Sequence, residues 1–309
     1  MLDALCQQSE EFRADVLRGL AQPQKTLPCR WLYDDRGSEL FEEITQLPEY
    51  YPTRTETSIL REHAEDMAAF CGPDVVLFEY GAGAGIKTEI LVSELRSPRL
   101  YVPIDIAGDF LELTAARFRE KFPQLAIQPI VSDFTADFPW PPSLPPGPRV
   151  AFFPGSTIGN LNAAEAASFL RRMRRHTSTA IIGVDLQKPL DILIPAYDDP
   201  TGVTAQFNLN LLTRINRELG ANFVIEAFQH QARWNDAESA IEMHLLSHCT
   251  QSVSLAGRSF DFAAGETIHT ESSRKYSLER FAGLAGDNGW DVAKLWTDPR
   301  GLFAVFGLR

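Results

Sequence analysis

The sequence predicts an α/β protein: a doubly wound parallel sheet closed by a C-terminal β-hairpin, with a second, α+β domain beside it. Three features carry this prediction. Between residues 75 and 185, short β-branched runs alternate with helical patterns, the signature of a right-handed parallel sheet. After Asp185 the alternation stops and period-2 segments take over, as in antiparallel strands. At the end, two apolar segments, Trp290 to Trp296 and Gly301 to Gly307, flank Asp298-Pro299-Arg300 and read as a hairpin.

The elements follow in order. Leu5, Phe12, Val16 and Leu20 recur near helical spacing before Pro23, which predicts a first helix. Residues 30 to 52 are aromatic and irregular. Thr53 with Glu56 three residues on reads as a capping box opening a helix. The alternating region then predicts strand Val75 to Tyr80, a glycine turn, a helix to about Leu95 and strand Leu100 to Ile106. A helix from Asp109 to Phe122 and strand Ile127 to Val131 come next, followed by strand Val150 to Phe153. Asn162 and Glu165 read as another capping box, and strand Ala180 to Asp185 closes the series. The second domain holds a helix near Ala205 to Leu219 and strands such as Ile241 to His248; a helix from Ser277 ends at Gly286. The expected division is 53–190 with 276–309 for the sheet domain, and 1–52 with 191–275 for the other.

Composition limits the function. Of 309 residues, 44% are hydrophobic and 23% charged, an ordinary globular balance. A formal charge of −12 opposes binding to a phosphate backbone, and no basic run interleaved with aromatics offsets it, so nucleic acid is not an expected partner. Cys6, Cys29, Cys71 and Cys249 are too widely spaced for a redox pair or a small secreted framework and read as reduced thiols. The N-terminus has no signal-peptide pattern and no apolar run is long enough to span a bilayer. The expectation is a cytoplasmic monomer acting on a small molecule, with no membrane partner.

The turn Gly81-Ala82-Gly83-Ala84-Gly85-Ile86-Lys87 sits between a strand and a helix, where open α/β sheets bind nucleotides. Ile86 stands where a dinucleotide fingerprint needs its third glycine, and the P-loop spacing fails, so phosphate cradles are disfavoured. A nucleoside without phosphates suits the turn better. S-adenosylmethionine carries an ammonium, a sulfonium and a ribose diol, which call for carboxylates. Asp105, ending the second strand, is placed to accept ribose hydroxyls, and Asp133-Phe134, after the third, to meet an adenine amino group and ring face. Each strand-end Asp alone is as often a turn former. Three signals in order, each after its own strand, point to S-adenosylmethionine.

The fourth strand runs into Gly155-Ser156-Thr157-Ile158-Gly159-Asn160, small residues ending in a carboxamide that both donates and accepts. From these residues alone, Asn160 serves a substrate or merely begins the next helix. The longer stretches decide more. Arg30-Trp31-Leu32-Tyr33-Asp34, Leu47-Pro48-Glu49-Tyr50-Tyr51-Pro52-Thr53-Arg54, the Gly155–Asn160 loop, Ala196-Tyr197-Asp198-Asp199-Pro200 with Gly202 to Asn208, and Ala232-Arg233-Trp234-Asn235 resemble the histidine-specific Nα-methyltransferases of ergothioneine biosynthesis. The similarity spans nearly the whole chain.

That resemblance implies a class I (Rossmann-like) methyltransferase sheet and an enzyme that methylates free histidine three times, to hercynine. It implies that Tyr50, Asn160 and Tyr197 act at the catalytic position by holding the amino and carboxylate groups, with Gly155 lending backbone. It further implies that Glu271 and Ser273 bind the imidazole with Tyr33 and Met243 beside it, and that Gly81, Lys87, Asp105, Asp133 and Phe134 hold the cofactor. The glycine turn departs from the family pattern, with Ala82, Ala84 and Ile86 where more polar residues are expected.

The residue types fit that chemistry. Neutral imidazole has one donor and one acceptor nitrogen, which a carboxylate and a hydroxyl satisfy together. In isolation, Glu271 reads as a solvated strand charge, Met243 as core, and Tyr33 and Tyr50 as packing aromatics. His244 and His248 lack the further ligands of a metal site, so no metal is expected. Three other readings compete: a methyltransferase of another amino acid or amine, a nicotinamide-dependent oxidoreductase, and a non-catalytic ligand-binding protein with the same fold.

Overall fold

The structure is a computed structural model that describes residues 2–138, 140–141 and 143–309; of residues 2–8 only the backbone is described. The readings on Leu5 and Cys6 therefore fall outside the described side chains. The chain divides into two compact units, Met1–Tyr50 with Pro189–Ser273, and Tyr51–Lys188 with Arg274–Arg309.

The first stretch forms α1 (Leu2–Leu20), the short β1 (Lys25–Thr26) and α2 (Asp35–Gln46). Helix α2 corrects the reading of residues 30–52 as irregular. Asp34 caps it by accepting from the Gly37 N–H at 2.8 Å, and Leu40 and Ile44 form its buried stripe.

The second stretch builds most of the parallel sheet. It contains α3 (Tyr51–Cys71), β2 (Val76–Tyr80), α4 (Ile86–Glu94), β3 (Leu100–Asp105), α5 (Gly108–Lys121), β4 (Ala126–Ile127), β5 (Ile130–Val131), β6 (Arg149–Phe153), α6 (Ala163–His176) and β7 (Thr179–Asp185). Two expectations change here. Helix α3 starts at Tyr51, so Thr53 is not its cap, and Glu56 is buried on a different errand described below. The strand expected over Ile127 to Val131 is interrupted at Pro129, which has no N–H for the ladder. The Asn162–Glu165 capping box of α6 forms as expected, with both reciprocal bonds present.

The third stretch contains α7 (Leu190–Tyr197), α8 (Val203–Leu219), β8 (Phe228–Asn235), β9 (Ala240–Ser247), β10 (Gln251–Leu255), β11 (Arg258–Phe262) and β12 (Thr267–Arg274). The last holds α9 (Leu278–Gly286) and the hairpin β13 (Val292–Thr297) and β14 (Phe303–Leu308).

In the Tyr51–Lys188 and Arg274–Arg309 unit the strand order is β13-β14-β7-β6-β2-β3-β4, with β5 also on β3. Strands β7, β6, β2 and β3 are parallel, while β14 runs antiparallel to β7 and β13 antiparallel to β14. The order reverses at β2, which lies between β3 and β6, so a crevice is expected beyond the carboxyl end of β2. Each strand serves two cores through its period of two. Phe78, Tyr80, Val102, Ile104, Phe153 and Ile182 face one core with Phe169 and Phe281 of the helices. Leu77, Tyr101, Phe152 and Ile181 face the other with Ile59, Leu91 and Phe118.

In the other unit, the sheet order is β1-β12-β9-β8, and β10 pairs with β11 as a separate hairpin. Ala256 and Gly257, both at positive φ, make its two-residue turn. Phe207, Leu211 and Ile215 of α8, and Ile241, Met243 and Leu245 of β9, are buried in this unit.

Candidate active site

The sheet unit carries the residues assigned to the cofactor. Strand β2 ends at Tyr80, and Gly81, Gly83 and Gly85 follow with φ of 71°, 48° and 65°, the left-handed region that glycine enters without strain. Gly85 precedes α4, and a Cβ there would lie 2.7 Å from the Phe118 ring, so close packing as well as φ requires glycine. At Gly83 a Cβ would meet nothing within 4 Å, which leaves one face of the turn open.

Asp105 holds the turn from the end of β3. Its Oδ2 accepts from the Gly83 N–H at 3.0 Å and its Oδ1 from the Ala107 N–H at 3.0 Å. Burial raises its pKa and these backbone donors only partly offset that. The Gly83, Ala107 and Ile106 N–H groups take part of its acceptor capacity, and the four acceptor sites of a carboxylate leave room for a ribose hydroxyl. Phe134 lies across the turn, 3.4 Å from where a Gly81 Cβ would stand. The Arg172 guanidinium fixes that segment by donating to the Phe134 and Thr135 carbonyls at 3.3 and 2.7 Å. Asp133 spends Oδ1 on the Thr135 N–H at 2.8 Å, the turn-forming role that the sequence left open for it. An open glycine face, a two-oxygen acceptor and an aromatic edge fit an S-adenosyl nucleoside.

Lys87 is held differently from a simple cofactor ligand. Its Nζ lies 2.6 Å from the Glu56 carboxylate, which is 1% exposed, and the same carboxylate accepts the Gly155 N–H at 2.8 and 3.0 Å. Glu56 thus ties the start of α4 to the loop after β6. Sequence reasoning placed Glu56 in a helix cap; its burial in the second turn of α3, among Ile59 and Leu60, is the signal for an inward carboxylate.

The loop after β6 is pinned along its length. Gly155 and Ser156 both adopt positive φ, 85° and 56°, and the Ser156 Oγ accepts the Asp185 N–H at 2.8 Å. A Cβ on Gly159 would lie 2.8 Å from the Arg274 carbonyl oxygen, so only glycine fits. Asn160 ends the short 3₁₀ helix Thr157–Asn160, and it is Asn162 that caps α6. The reading of Asn160 as a helix cap is thereby removed.

The other unit brings together Tyr33, Tyr50, Tyr197, Glu271 and Ser273. Tyr50 and Tyr197 rings lie 6.0 Å apart in an edge arrangement, and the Tyr197 hydroxyl is 2.8 Å from the Ser273 hydroxyl. Tyr33 packs edge-on against Phe41 at 5.5 Å and Phe207 at 5.4 Å. Burial first, then the Glu271 carboxylate, hold the Tyr33 phenol well above its ordinary pKa, so it is protonated at neutral pH. Tyr50 and Tyr197 act on it in the same direction. Glu271 is 8% exposed, which removes its reading as a solvated strand charge; Met243 is buried on β9. Phe41 and Phe207 were not singled out in the sequence, although both sit at core spacing on their helices.

Three deeper contacts hold this cluster. Asp34 accepts from Asn210 at 2.7 Å and Arg217 at 2.6 Å besides capping α2, which fixes the backbone next to Tyr33. Burial raises the Asp34 pKa, but these donors outweigh it and hold the carboxylate below its usual range. His230 lies 2.8 Å from the Tyr197 carbonyl through Nε2 and 2.9 Å from the Asn208 amide through Nδ1. An amide that donates to Nδ1 leaves the proton on Nε2, which donates to Tyr197. Asp199 accepts the Thr201 hydroxyl and the first two N–H groups of α8, Val203 and Thr204, at 3.1 and 2.8 Å; burial raises its pKa, but these bonds outweigh it, the Thr201 hydroxyl most, and lower it to about 2.

His244 bonds Glu242 at 3.2 Å, and among the described residues no group of three or more His, Cys, Asp or Glu is arranged to hold a metal ion. No described helix is long and apolar enough to cross a membrane.

Comparison with known proteins accords with this geometry. Residues 12–309 match the family described as histidine-specific methyltransferase, SAM-dependent. The histidine N-alpha-methyltransferase of Mycobacterium tuberculosis is 42% identical over 303 residues, covering 95% of this chain and 93% of that protein. That of Mycolicibacterium smegmatis is 40% identical over 305 residues, covering 96% and 94%. A Claviceps purpurea protein named 4-dimethylallyltryptophan N-methyltransferase is 25% identical over 325 residues, covering 95% and 93%. With nearly its full length matched, the chain belongs to the S-adenosylmethionine-dependent, histidine-specific methyltransferase family.

Proposed function

We propose that the protein methylates the α-amino nitrogen of free L-histidine, in three successive turnovers that end at the betaine hercynine, as a step of ergothioneine formation. The carrying observation is the buried Glu271 carboxylate in one cluster with Ser273, Tyr197 and Tyr33. A buried carboxylate and hydroxyl reward a side chain with one donor and one acceptor, and they penalise an apolar one that leaves both unpaired. The two mycobacterial relatives named for this reaction support the choice.

S-adenosylmethionine, when bound, supplies a methyl group on a sulfonium sulfur. Gly81, Lys87, Asp105, Asp133 and Phe134 would hold it. The chain's task is then positional: Asn160, Tyr50 and Tyr197 fix the amino and carboxylate groups, Gly155 adds backbone, and Met243 shapes the side-chain pocket. An unperturbed α-amino group titrates at about 8, so a neutral fraction exists near neutrality without a strong base. Asn160 both donates and accepts, which lets it follow an amine that loses N–H donors as methyl groups accumulate.

A second reading, another amino acid on the same scaffold, draws on the dimethylallyltryptophan relative. One competition assay separates the two. With histidine, tryptophan and tyrosine present together, methyl groups are expected on histidine, and transfer to tryptophan or tyrosine instead would overturn the reading. The enzyme is taken to act as a cytoplasmic monomer, which equilibrium sedimentation and cell fractionation test.

A further inference from the structure

The chain passes between its two units at three points, 50/51, 188/189 and 273/274. Within the sheet unit, a residue at or one position beyond each point reaches the same carboxylate. Asp185, at the end of β7, is fully buried. The Tyr51 hydroxyl donates to it at 2.7 and 3.0 Å, the Lys188 ammonium at 2.5 Å and the Lys275 ammonium at 2.7 Å. Lys188 also donates to the Tyr51 hydroxyl at 2.7 Å and to the Leu186 carbonyl, and its Nζ stands 4.4 Å from the Tyr51 ring centroid. The Lys275 side chain is 0% exposed and that of Lys188 3%.

Such an arrangement is costly unless it is complete. Two ammonium groups meet on one carboxylate in a buried site, and removing that carboxylate would take from both cations the anion they share. Burial raises the Asp185 pKa, but Lys275 and Lys188 outweigh it and keep the carboxylate charged; burial also lowers Lys188 to about 8. A core needing only stability would be better served by apolar groups, whereas one anchor for three separate strands of chain requires a group with several acceptor sites.

We propose that Asp185 is a positioning residue for the amino-acid substrate: by fixing Tyr51, Lys188 and Lys275 it fixes the three segments on which the substrate residues are carried. Tyr50 directly precedes Tyr51, α7 with Tyr197 begins two residues after Lys188, and Ser273 stands two residues before Lys275. The substrate part rests on the reading above; the anchoring does not. Asp185 touches no reacting atom in this scheme and acts through its neighbours.

The test compares wild type, Asp185→Asn and the milder Tyr51→Phe by amide hydrogen exchange and steady-state kinetics. In Asp185→Asn the amides of residues 48–53, 186–190 and 273–277 are expected to exchange together about 10-fold faster or more, with β2 and β3 unchanged. The KM for histidine rises about 10-fold or more, while S-adenosylhomocysteine affinity stays within about 3-fold. Tyr51→Phe moves both readouts in the same direction by less. Faster exchange at one crossing only or at none, or an unchanged histidine KM in a folded Asp185→Asn, would overturn the proposal. If Asp185→Asn does not fold, Tyr51→Phe decides alone, and unchanged exchange there has the same force. Should wild type not methylate histidine, the functional reading fails, while the exchange comparison still decides the anchoring.

Discussion

The Tyr197 hydroxyl lies 2.8 Å from the Ser273 hydroxyl, joining the last residue of α7 to strand β12 across 76 positions of sequence. Either oxygen can donate. The bond couples two groups that the proposed function assigns to different parts of histidine, Tyr197 to its amino-acid end and Ser273 to its imidazole. Their bond makes side-chain recognition and placement of the amino group interdependent.

Ser273→Ala is therefore expected to raise the histidine KM by about 10-fold and to lower kcat as well, because the bond that ties the Tyr197 hydroxyl to β12 is lost. Glu271→Gln should raise KM by about 10- to 100-fold, the worth of a hydrogen bond to a charged group. Steady-state kinetics with saturating S-adenosylmethionine checks both. Unchanged selectivity in Glu271→Gln would return that residue to a packing role.

Glu56→Gln should weaken two sites at once. The amide can still accept the Gly155 N–H but no longer balances the Lys87 ammonium, whose side chain is 19% exposed. Partial solvation of Lys87 softens the loss expected for a broken buried pair to about 1–3 kcal/mol. A lower melting temperature with kcat/KM reduced about 10-fold or more is the expected result. Kinetics equal to wild type would show that Gly155 and Lys87 need no common anchor.

Burial raises the Glu79 carboxyl from an ordinary 4.5 to about 8, against the Thr88 and Tyr101 hydroxyls that favour its charged form. Between those values the folded chain holds a proton that the unfolded chain has released. Glu79 therefore contributes stability that is complete below about pH 4.5 and is lost as pH rises through about 8. Glu79→Gln cannot ionise, so its melting temperature should gain on wild type between about pH 5 and about pH 9. Parallel melting profiles across that range would contradict the assignment.

Tyr80 places a buried hydroxyl among aromatic rings, 5.2 Å from Phe169 and 6.4 Å from Phe134 between centroids, with no described hydrogen-bond partner. Tyr80→Phe removes an unpaired polar atom and should stabilise the protein by about 1 kcal/mol with the KM for S-adenosylmethionine unchanged. Calorimetry and kinetics on that variant test it. A destabilised Tyr80→Phe would mean that the hydroxyl has a partner.

Much of the sheet was legible because its signals are local. The alternation of apolar runs, the Asn162–Glu165 box and the glycine turn before α4 each depend on residues within a few positions of one another, and each formed. Helix α7 escaped because Leu190-Asp191-Ile192-Leu193-Ile194-Pro195 has almost no polar face and contains a proline, so it lacks helical periodicity. Helix α2 had a usable signal, the Asp34 cap and the Leu40–Ile44 stripe, masked by the aromatic residues around it.

The candidate site was legible as a set of residue types and not as a set of contacts. Asp105 and Phe134 follow strand ends, where position alone marks them. Glu56 with Gly155, and Asp185 with Lys275, are joined over about a hundred residues by pairing that no local period encodes. Resemblance to a family pointed to Tyr197 and Glu271, but only the fold exposed what holds them: His230 beneath the Tyr197 backbone, and Asp34 beside Tyr33.

The most direct measurement is mass spectrometry of a mixture of free amino acids incubated with the protein and S-adenosylmethionine. Histidine is predicted to gain one, two and finally three methyl groups on its α-nitrogen while S-adenosylhomocysteine accumulates in proportion. Unmodified histidine beside a methylated second amino acid, or no S-adenosylhomocysteine at all, would contradict the account.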